Sequence, residues 1–228
     1  MDMGCVYIRA VIFAGNPFPT QLDATQATVK TVTAISRAKG FFEAKRMKGM
    51  KNQYEFEALF NQSGFKDFKW IDPKNIIVSE WVRMKCSYGC KSFGKNATCP
   101  PNMPSVPECR RFFDEYQVGV IFHFEKAVEK PEDRHTWSRK TNLALLKLER
   151  AVFLAGYQKA FLLFMDSCSL CEECTGRKED CKNPQSARPS PESMAVDVFS
   201  TVREYGFPIQ VLTNTSQAMN RFAFLLIE

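Results

Sequence analysis

Apolar and polar positions divide this chain into short strands and longer helices. Cys5 to Ala14 has strand composition, and Ala24 to Lys39 reads as a helix closed by Gly40. Tyr54 to Ser63 predicts a short helix ended by Gly64. Asn75 to Val78 and Trp81 to Met84 are β-branched and aromatic, which predicts strands. Ser105-Val-Pro-Glu108 is a capping-box pattern that starts a helix to about Gln117. Val118 to Phe124 is apolar enough for a buried strand, and Lys126 to His135 is a polar loop containing Pro131. From Trp137 to Ala155, Leu145, Leu148, Val152 and Ala155 recur at helical spacing, and Gly156 fits the C-terminal cap. Ala160 to Met165 predicts the next strand. Ser190-Pro191-Glu192 caps a helix carrying Val196, Phe199, Val202 and Tyr205 on one face, stopped at Gly206 and Pro208. Ile209 to Leu212 and Arg221 to Ile227 read as closing strands, a loop apart, forming an antiparallel hairpin.

Strands alternating with helices predict an α/β or α+β domain with a mixed, mainly parallel sheet and flanking helices. The strand–helix–strand unit from Val118 to Met165 is expected to be a right-handed parallel crossover. Sites in open α/β sheets form outside the carboxyl ends of strands. Both cysteine groups leave such ends, at Cys86 and at Cys168, so cysteine-rich loops are expected side by side at one sheet edge. Residues 51–228 form this domain, and residues 1–50 an N-terminal extension. Two readings of the extension stay open: a loosely attached strand–helix appendage, or an artefact of the start codon with the native start at Met47 or Met50.

At 228 residues the chain can bury one sizeable core. A net charge of +6 is scattered, apart from Lys45, Arg46, Lys48 and Lys51, so it reads as solvated surface and not as a nucleic-acid footprint. No apolar run reaches the roughly 20 residues a membrane span needs. The run from Cys5 to Gly15 is broken by Arg9 and lacks a basic flank, which makes a poor signal peptide. The expected place is therefore the cytoplasm, where nine cysteines point to metal or redox chemistry and not to disulfides. The triplets at Asn61, Asn96 and Asn214 would then go unglycosylated.

Four of those cysteines lie close together: Cys168, Cys171, Cys174 and Cys181, separated by two, two and six residues. Thiolates are soft ligands that select iron–sulfur clusters or zinc. Three thiols from one loop resemble the start of a ferredoxin-type run, whereas zinc usually draws pairs from two knuckles. The spacing therefore favours a 4Fe–4S cluster, with zinc as the alternative; Cys181 departs from the ferredoxin spacing. The earlier group is Cys86, Cys90 and Cys99-Pro100-Pro101, with Gly89 and Gly94 in the loop. Its fourth thiol is either Cys109 or absent, and Cys109 reads rather as a small apolar residue packed in a helix. Without Cys109 one iron would lack a protein thiolate and stand open to substrate. Alternatively the first group adds outer ligands to one shared site. Lys85, Lys91 and Lys95 either offset cluster charge or are surface lysines. His123 reads as a satisfied core histidine and His135 as a weak ligand candidate. Asp166, just before Cys168, is placed for a proton or supporting role, and Asp197 reads as a helix-surface carboxylate. No catalytic triad, phosphate loop or HExxH motif appears, so no catalytic residue is assigned.

The segments Trp81-Val-Arg-Met-Lys-Cys86-Ser-Tyr-Gly-Cys90, Gly94-Lys95-Asn96 and Cys99-Pro100-Pro101 resemble an uncharacterised family of cysteine-rich predicted metal-binding proteins of anaerobic bacteria and archaea. So do Cys168-Ser-Leu-Cys171-Glu-Glu-Cys174, Cys181, Arg188-Pro189-Ser190, Glu192 and Asp197-Val198, with Ala195 standing where the family has glycine. The resemblance runs from about Tyr54 to the C-terminus and leaves out Cys5 and Cys109. It implies metal binding, most simply of iron–sulfur, in an anaerobe's cytoplasm, and implies no reaction. Three functions follow as expectations. One is an iron–sulfur protein with one or two clusters, an electron-transfer or redox role and a redox partner protein. Another is an enzyme using an open-coordination cluster on a small sulfur-containing or other substrate. The third is a zinc-stapled interaction module. Whether the chain works as a monomer or an oligomer is not legible.

Overall fold

A computed structural model describes residues 53–128, 133–214 and 217–228. The strand expected from Cys5 to Ala14, the helix from Ala24 to Lys39, the basic run and the alternative starts at Met47 and Met50 lie outside the described residues. From Phe56 onward the described residues belong to one compact unit.

Among the described residues the sheet has four strands, β1 (Phe68–Ile71), β2 (Gly119–Lys126), β3 (Phe161–Leu163) and β4 (Met219–Leu226), in the order β1-β2-β4-β3. Every neighbouring pair is antiparallel, which corrects the expected mainly parallel sheet. β2 and β3 both oppose β4, so they run parallel to each other. The expected crossover does join parallel strands, but the last strand of the chain lies between them. β4 suits that place: all of it except Asn220 is buried. A central strand pairs along both edges, so its backbone donors and acceptors are satisfied without water.

Among the described residues seven helices and turns accompany the sheet: α1 (Gln53–Gln62), a 3-10 turn at Pro73–Asn75, α2 (Glu80–Gly89), α3 (Val106–Asp114), α4 (Asp133–Leu154), a second 3-10 turn at Glu192–Met194 and α5 (Val198–Glu204). Ile71, Ile121, Phe222, Phe224, Leu226 and Leu163 line one sheet face, where Phe113 of α3 and Val202 of α5 join the same core. Phe122 points the other way, and Phe60 of α1 meets it edge-on at 5.1 Å. His123 is the expected satisfied core histidine. Its Nδ1 lies 2.6 Å from Asp67 Oδ2, its Nε2 lies 2.7 Å from Asn220 Oδ1, and its ring stacks on Phe222.

Several expected strands differ. Trp81 to Met84 belongs to α2, because Val82 and Cys86, four apart, are the buried positions while Trp81, Met84 and Tyr88 face outward. That is helical periodicity. Cys86 therefore sits on a helix and not at a strand's end. Asn75 ends the 3-10 turn that Asp72 caps, and of the rest of that segment only Val78 pairs, in a single bridge to Val196. Ile209 to Leu212 forms no strand, so the closing hairpin is absent. The helix expected at Ser190 is a 3-10 turn at Glu192–Met194. Ala195 breaks it with a left-handed φ of 61°. α5 starts afresh from Asp197, whose carboxylate accepts from Ser200 N, so this residue is an N-cap and not a surface carboxylate. α4 begins earlier than expected, which puts exposed His135 in its first turn and not in a loop.

β3 is an edge strand, and its outer donors need partners. α4 supplies them. Glu149 Oε1 accepts from Leu162 N at 2.8 Å, and Asn142 Oδ1 accepts from Met165 N at 3.2 Å. Phe164 N donates to Pro189 O at 2.8 Å. The strand that feeds the second cysteine group is thus held by polar groups on the buried face of α4.

Candidate metal centre

The second cysteine loop leaves β3 through Asp166, which is 4% exposed. Its carboxylate accepts from Ser167 N and Ser138 Oγ, and Arg134 Nε lies 3.5 Å away. From Cys168 to Ala187 the backbone forms neither helix nor strand. The loop returns at Arg188, whose Nε donates to both Glu149 oxygens at 2.8 and 3.1 Å.

The first group begins on α2 with buried Cys86, continues at Cys90, the C-cap, and ends at buried Cys99. Asn96 organises the intervening loop. Its Oδ1 accepts from Thr98 N and Thr98 Oγ1, and its Nδ2 donates to Cys168 O at 2.9 Å. Asn102 Nδ2 reaches Gly176 O at 2.8 Å. Gly176 has φ +77°, and a Cβ there would lie 3.2 Å from Gly94 O, so glycine lets the two loops close on each other. The expected proximity is therefore present, reached from a helix end and a strand end.

Two cavities lie at this seam. Cys168, Cys171, Cys174 and Cys181 all line one, together with Ala97 and Asn183. Cys86 and Cys99 line the other, with Pro100, Asp166, Ser167 and Glu192. Adjacent residues face opposite cavities: Thr98 and Cys99 on one loop, Ser167 and Cys168 on the other. The cavities are back to back, sharing two short stretches of backbone. Among the described residues no three Cys, His, Asp or Glu side chains form a ready-made group for a metal ion. The thiols line the cavities without meeting at a point.

The donors nonetheless suit a soft metal centre. Burial, and then the neighbouring Cys86 and Cys90 thiolates, push the Cys99 thiol up to about 12. Burial also raises the Cys168 thiol. Such thiols ionise when a cation replaces the proton, so binding releases protons and strengthens as pH rises. Two N–H groups already point at sulfur: Ala97 N at 3.3 Å from Cys174 Sγ, and Asn183 Nδ2 at 3.0 Å from Cys171 Sγ. Donors to ligating sulfur stabilise the more negative, reduced state. One hydrogen bond nets about 1 kcal/mol, or about 40 mV for one electron. Were these thiols to hold a redox cluster, Asn183→Ala would lower its midpoint potential by up to about 40 mV in a spectroelectrochemical titration; an unchanged or higher value would contradict a ligand role for Cys171.

Cys109 stands apart. It is fully buried on α3, its Sγ lies 3.6 Å from Pro104 O and 3.8 Å from Arg83 Nη2, and it lines neither cavity. Cys109→Ala should leave metal content unchanged and cost about 1 kcal/mol in denaturant unfolding; lost metal would make it a ligand. Lys85, Lys91 and Lys95 are exposed, and Lys85 lies over the Trp81 ring. The sequence reading passed over Asn102, Asn183 and the buried polar stripe Arg134, Ser138, Asn142 and Glu149. Asparagines close to the cysteines and polar residues recurring every four or seven positions were the available signals.

Neither the curated proteins nor the solved structures contain a match to this chain. A family model does match, over residues 69–227, which include both cysteine groups and all four strands except Phe68 of β1. The chain belongs to the family described as predicted metal-binding protein (DUF2284), a domain of unknown function.

Proposed function

We propose that this chain is an iron–sulfur protein with an electron-transfer or redox role, holding two neighbouring 4Fe–4S clusters. The observation that carries the reading is the pair of back-to-back cavities, one lined by four thiols and the other by Cys86 and Cys99. Seven thiols exceed what one zinc ion takes, since structural zinc sites are closed by four ligands. Bound clusters would supply one-electron exchange between closely spaced centres. The protein's own share is to bind, orient and tune. Cys168, Cys171, Cys174 and Cys181 would hold one centre, and Cys86, Cys90 and Cys99 the other. Asn96 and Asn102 lock the loops together, and Ala97 N and Asn183 donate to sulfur. In this reading the protein works in a reducing cytoplasm, with a separate redox protein as donor or acceptor.

Protein purified without oxygen tests the reading. Broad visible absorption, with iron and acid-labile sulfide near eight each per chain as two four-iron clusters require, is the expected result. Stoichiometric zinc in a colourless protein would support a zinc-stapled interaction module instead. A second reading, an enzyme with an open-coordination cluster, draws on the cavity at Cys86 and Cys99, where buried Asp166 and half-buried Glu192 stand beside the thiols. Under that reading, adding a small thiol changes the cluster spectrum.

A further inference from the structure

The helix that begins the first cysteine group leaves one face uncovered among the described residues. Trp81, Met84 and Tyr88 of α2 are 43%, 53% and 85% exposed. At 3.6 residues per turn these three and Lys85 fall within an arc of about 100°, turned away from buried Val82 and Cys86. A single exposed apolar residue is ordinary, but two aromatic rings and a methionine on one stripe form a patch. Lys85 Nζ stands 5.5 Å from the centre of the Trp81 ring. Past the end of the helix, Lys91, Phe93 and Lys95 are exposed as well.

Charge gives this face its sign. Between Glu80 and Glu108 the chain has no acidic residue and four basic ones, Arg83, Lys85, Lys91 and Lys95. Arg83 is committed to Pro104 O and Ser193 O, which leaves three solvent-exposed lysines. The second cysteine loop differs: from Cys168 to Lys182 it carries four acidic and three basic side chains. Position ties the basic face to the first centre. Cys90, the C-cap of α2, comes two residues after Tyr88. Lys95 lies at the seam of the two loops, where a Cβ on Gly176 would come within 3.7 Å of its backbone.

An apolar centre that excludes water, with a rim of one charge that steers the encounter, suits a partner of the opposite charge. The stripe from Trp81 to Tyr88 is about 10 Å long, which fits the small, short-lived contacts of redox proteins. A second copy of this chain fits poorly, because a two-fold contact would set lysines against lysines. We propose that the exposed face of α2 and the loop after it is the docking surface for an acidic one-electron carrier protein. Trp81, Met84 and Tyr88 form its apolar centre, and Lys85, Lys91 and Lys95 its charged rim. This rests on the iron–sulfur reading above and deepens it by naming the partner's chemistry and the point of entry. One electron passes between the carrier and the centre of Cys86, Cys90 and Cys99, one side gaining what the other loses, and the second centre exchanges electrons through the first.

Zero-length carbodiimide cross-linking and affinity measurements on the full chain, made without oxygen, test this with a plant-type ferredoxin as the acidic carrier. Micromolar binding at about 20 mM salt, weakened at least about tenfold at about 200 mM, is expected. Cross-links should fall on Lys85, Lys91 and Lys95. The triple reversal Lys85→Glu, Lys91→Glu and Lys95→Glu should weaken binding at least about tenfold. A control with the same net charge, Lys66→Glu, Lys126→Glu and Lys147→Glu at exposed positions of other segments, should change it less than about threefold. Tyr88→Ala should weaken binding about fivefold and leave thermal unfolding unchanged. Equal weakening by the two triple variants, cross-links elsewhere, or a wild type that does not bind the ferredoxin overturns the docking surface. So does a preference for anionic phospholipid vesicles over the ferredoxin. An iron-loaded chain indifferent to these changes sinks this inference alone, whereas a chain without iron overturns the functional reading itself.

Discussion

Stripping the metal is expected to open the second cysteine loop to trypsin, with cleavage after Arg177, Lys178 or Lys182 at least about tenfold faster than in the loaded protein. The loop has little else to hold it. From Cys168 to Ala187 it forms no helix or strand, and all three cleavage sites are exposed. Its ties to the rest of the fold include only a handful of bonds such as Asn96 to Cys168 O, Asn102 to Gly176 O, Ala97 N to Cys174 Sγ, and Arg139 Nη2 to Leu170 O at 3.2 Å. The Arg177–Asp180 ion pair is local and exposed, and such pairs contribute little. Segments with few buried apolar contacts open locally at small free-energy cost. Bonds from four thiolates to a shared centre would add far more than the roughly 1.4 kcal/mol that changes an open population tenfold. Cleavage in this regime follows that population. Mass spectrometry of timed digests, with and without chelation under reducing conditions, gives the ratio. Equal resistance in both states would mean that the loop needs no metal.

Arg188→Ala carries the second large effect, a loss of about 3 kcal/mol, or about 6–12 °C in thermal unfolding for a chain of this size. The side chain of Glu149 is 7% exposed, and Arg188 is its ion-pair partner at 2.8 Å. Removing Arg188 leaves a buried carboxylate uncompensated. That carboxylate also accepts from Leu162 N on the edge strand, so it cannot swing out to water without orphaning the amide. Arg188 Nη1 additionally holds Gln185 O and Ala187 O, the last residues of the cysteine loop. The double change Glu149→Gln with Arg188→Ala keeps an acceptor for Leu162 N and removes the charge, so it should recover about 1–2 kcal/mol. An Arg188→Ala protein melting with wild type contradicts this account of how β3 and the loop are joined.

The helices at Ser105 and around Leu145 were legible because their caps and apolar spacing agree with their packing. The strands at Val120 and Phe224 were legible as apolar runs. Strand order was not, because a crossover between parallel strands reads the same locally whether or not a later strand inserts between them. Trp81 to Met84 misled for a different reason. Exposed Trp81 and Met84 give the segment a strand's composition, while only Val82 and Cys86 reveal the helical period. The four closely spaced thiols stood out in the sequence and do line one cavity. The buried polar stripe of α4 did not stand out, since Arg134, Ser138, Asn142 and Glu149 look like a solvated face until β3 is seen to need donors and acceptors there. Glu192 was visible as a motif residue, but its place beside Cys86 and Cys99 depends on a 3-10 turn that the sequence reads as a helix.

The most direct test is the EPR spectrum of the fully reduced chain. Two clusters in cavities that share a wall should give a signal broadened and split by magnetic coupling, integrating to about two spins per chain. A single unsplit signal of one spin, or no iron-based signal at all, would contradict the assignment of both cysteine groups to adjoining centres.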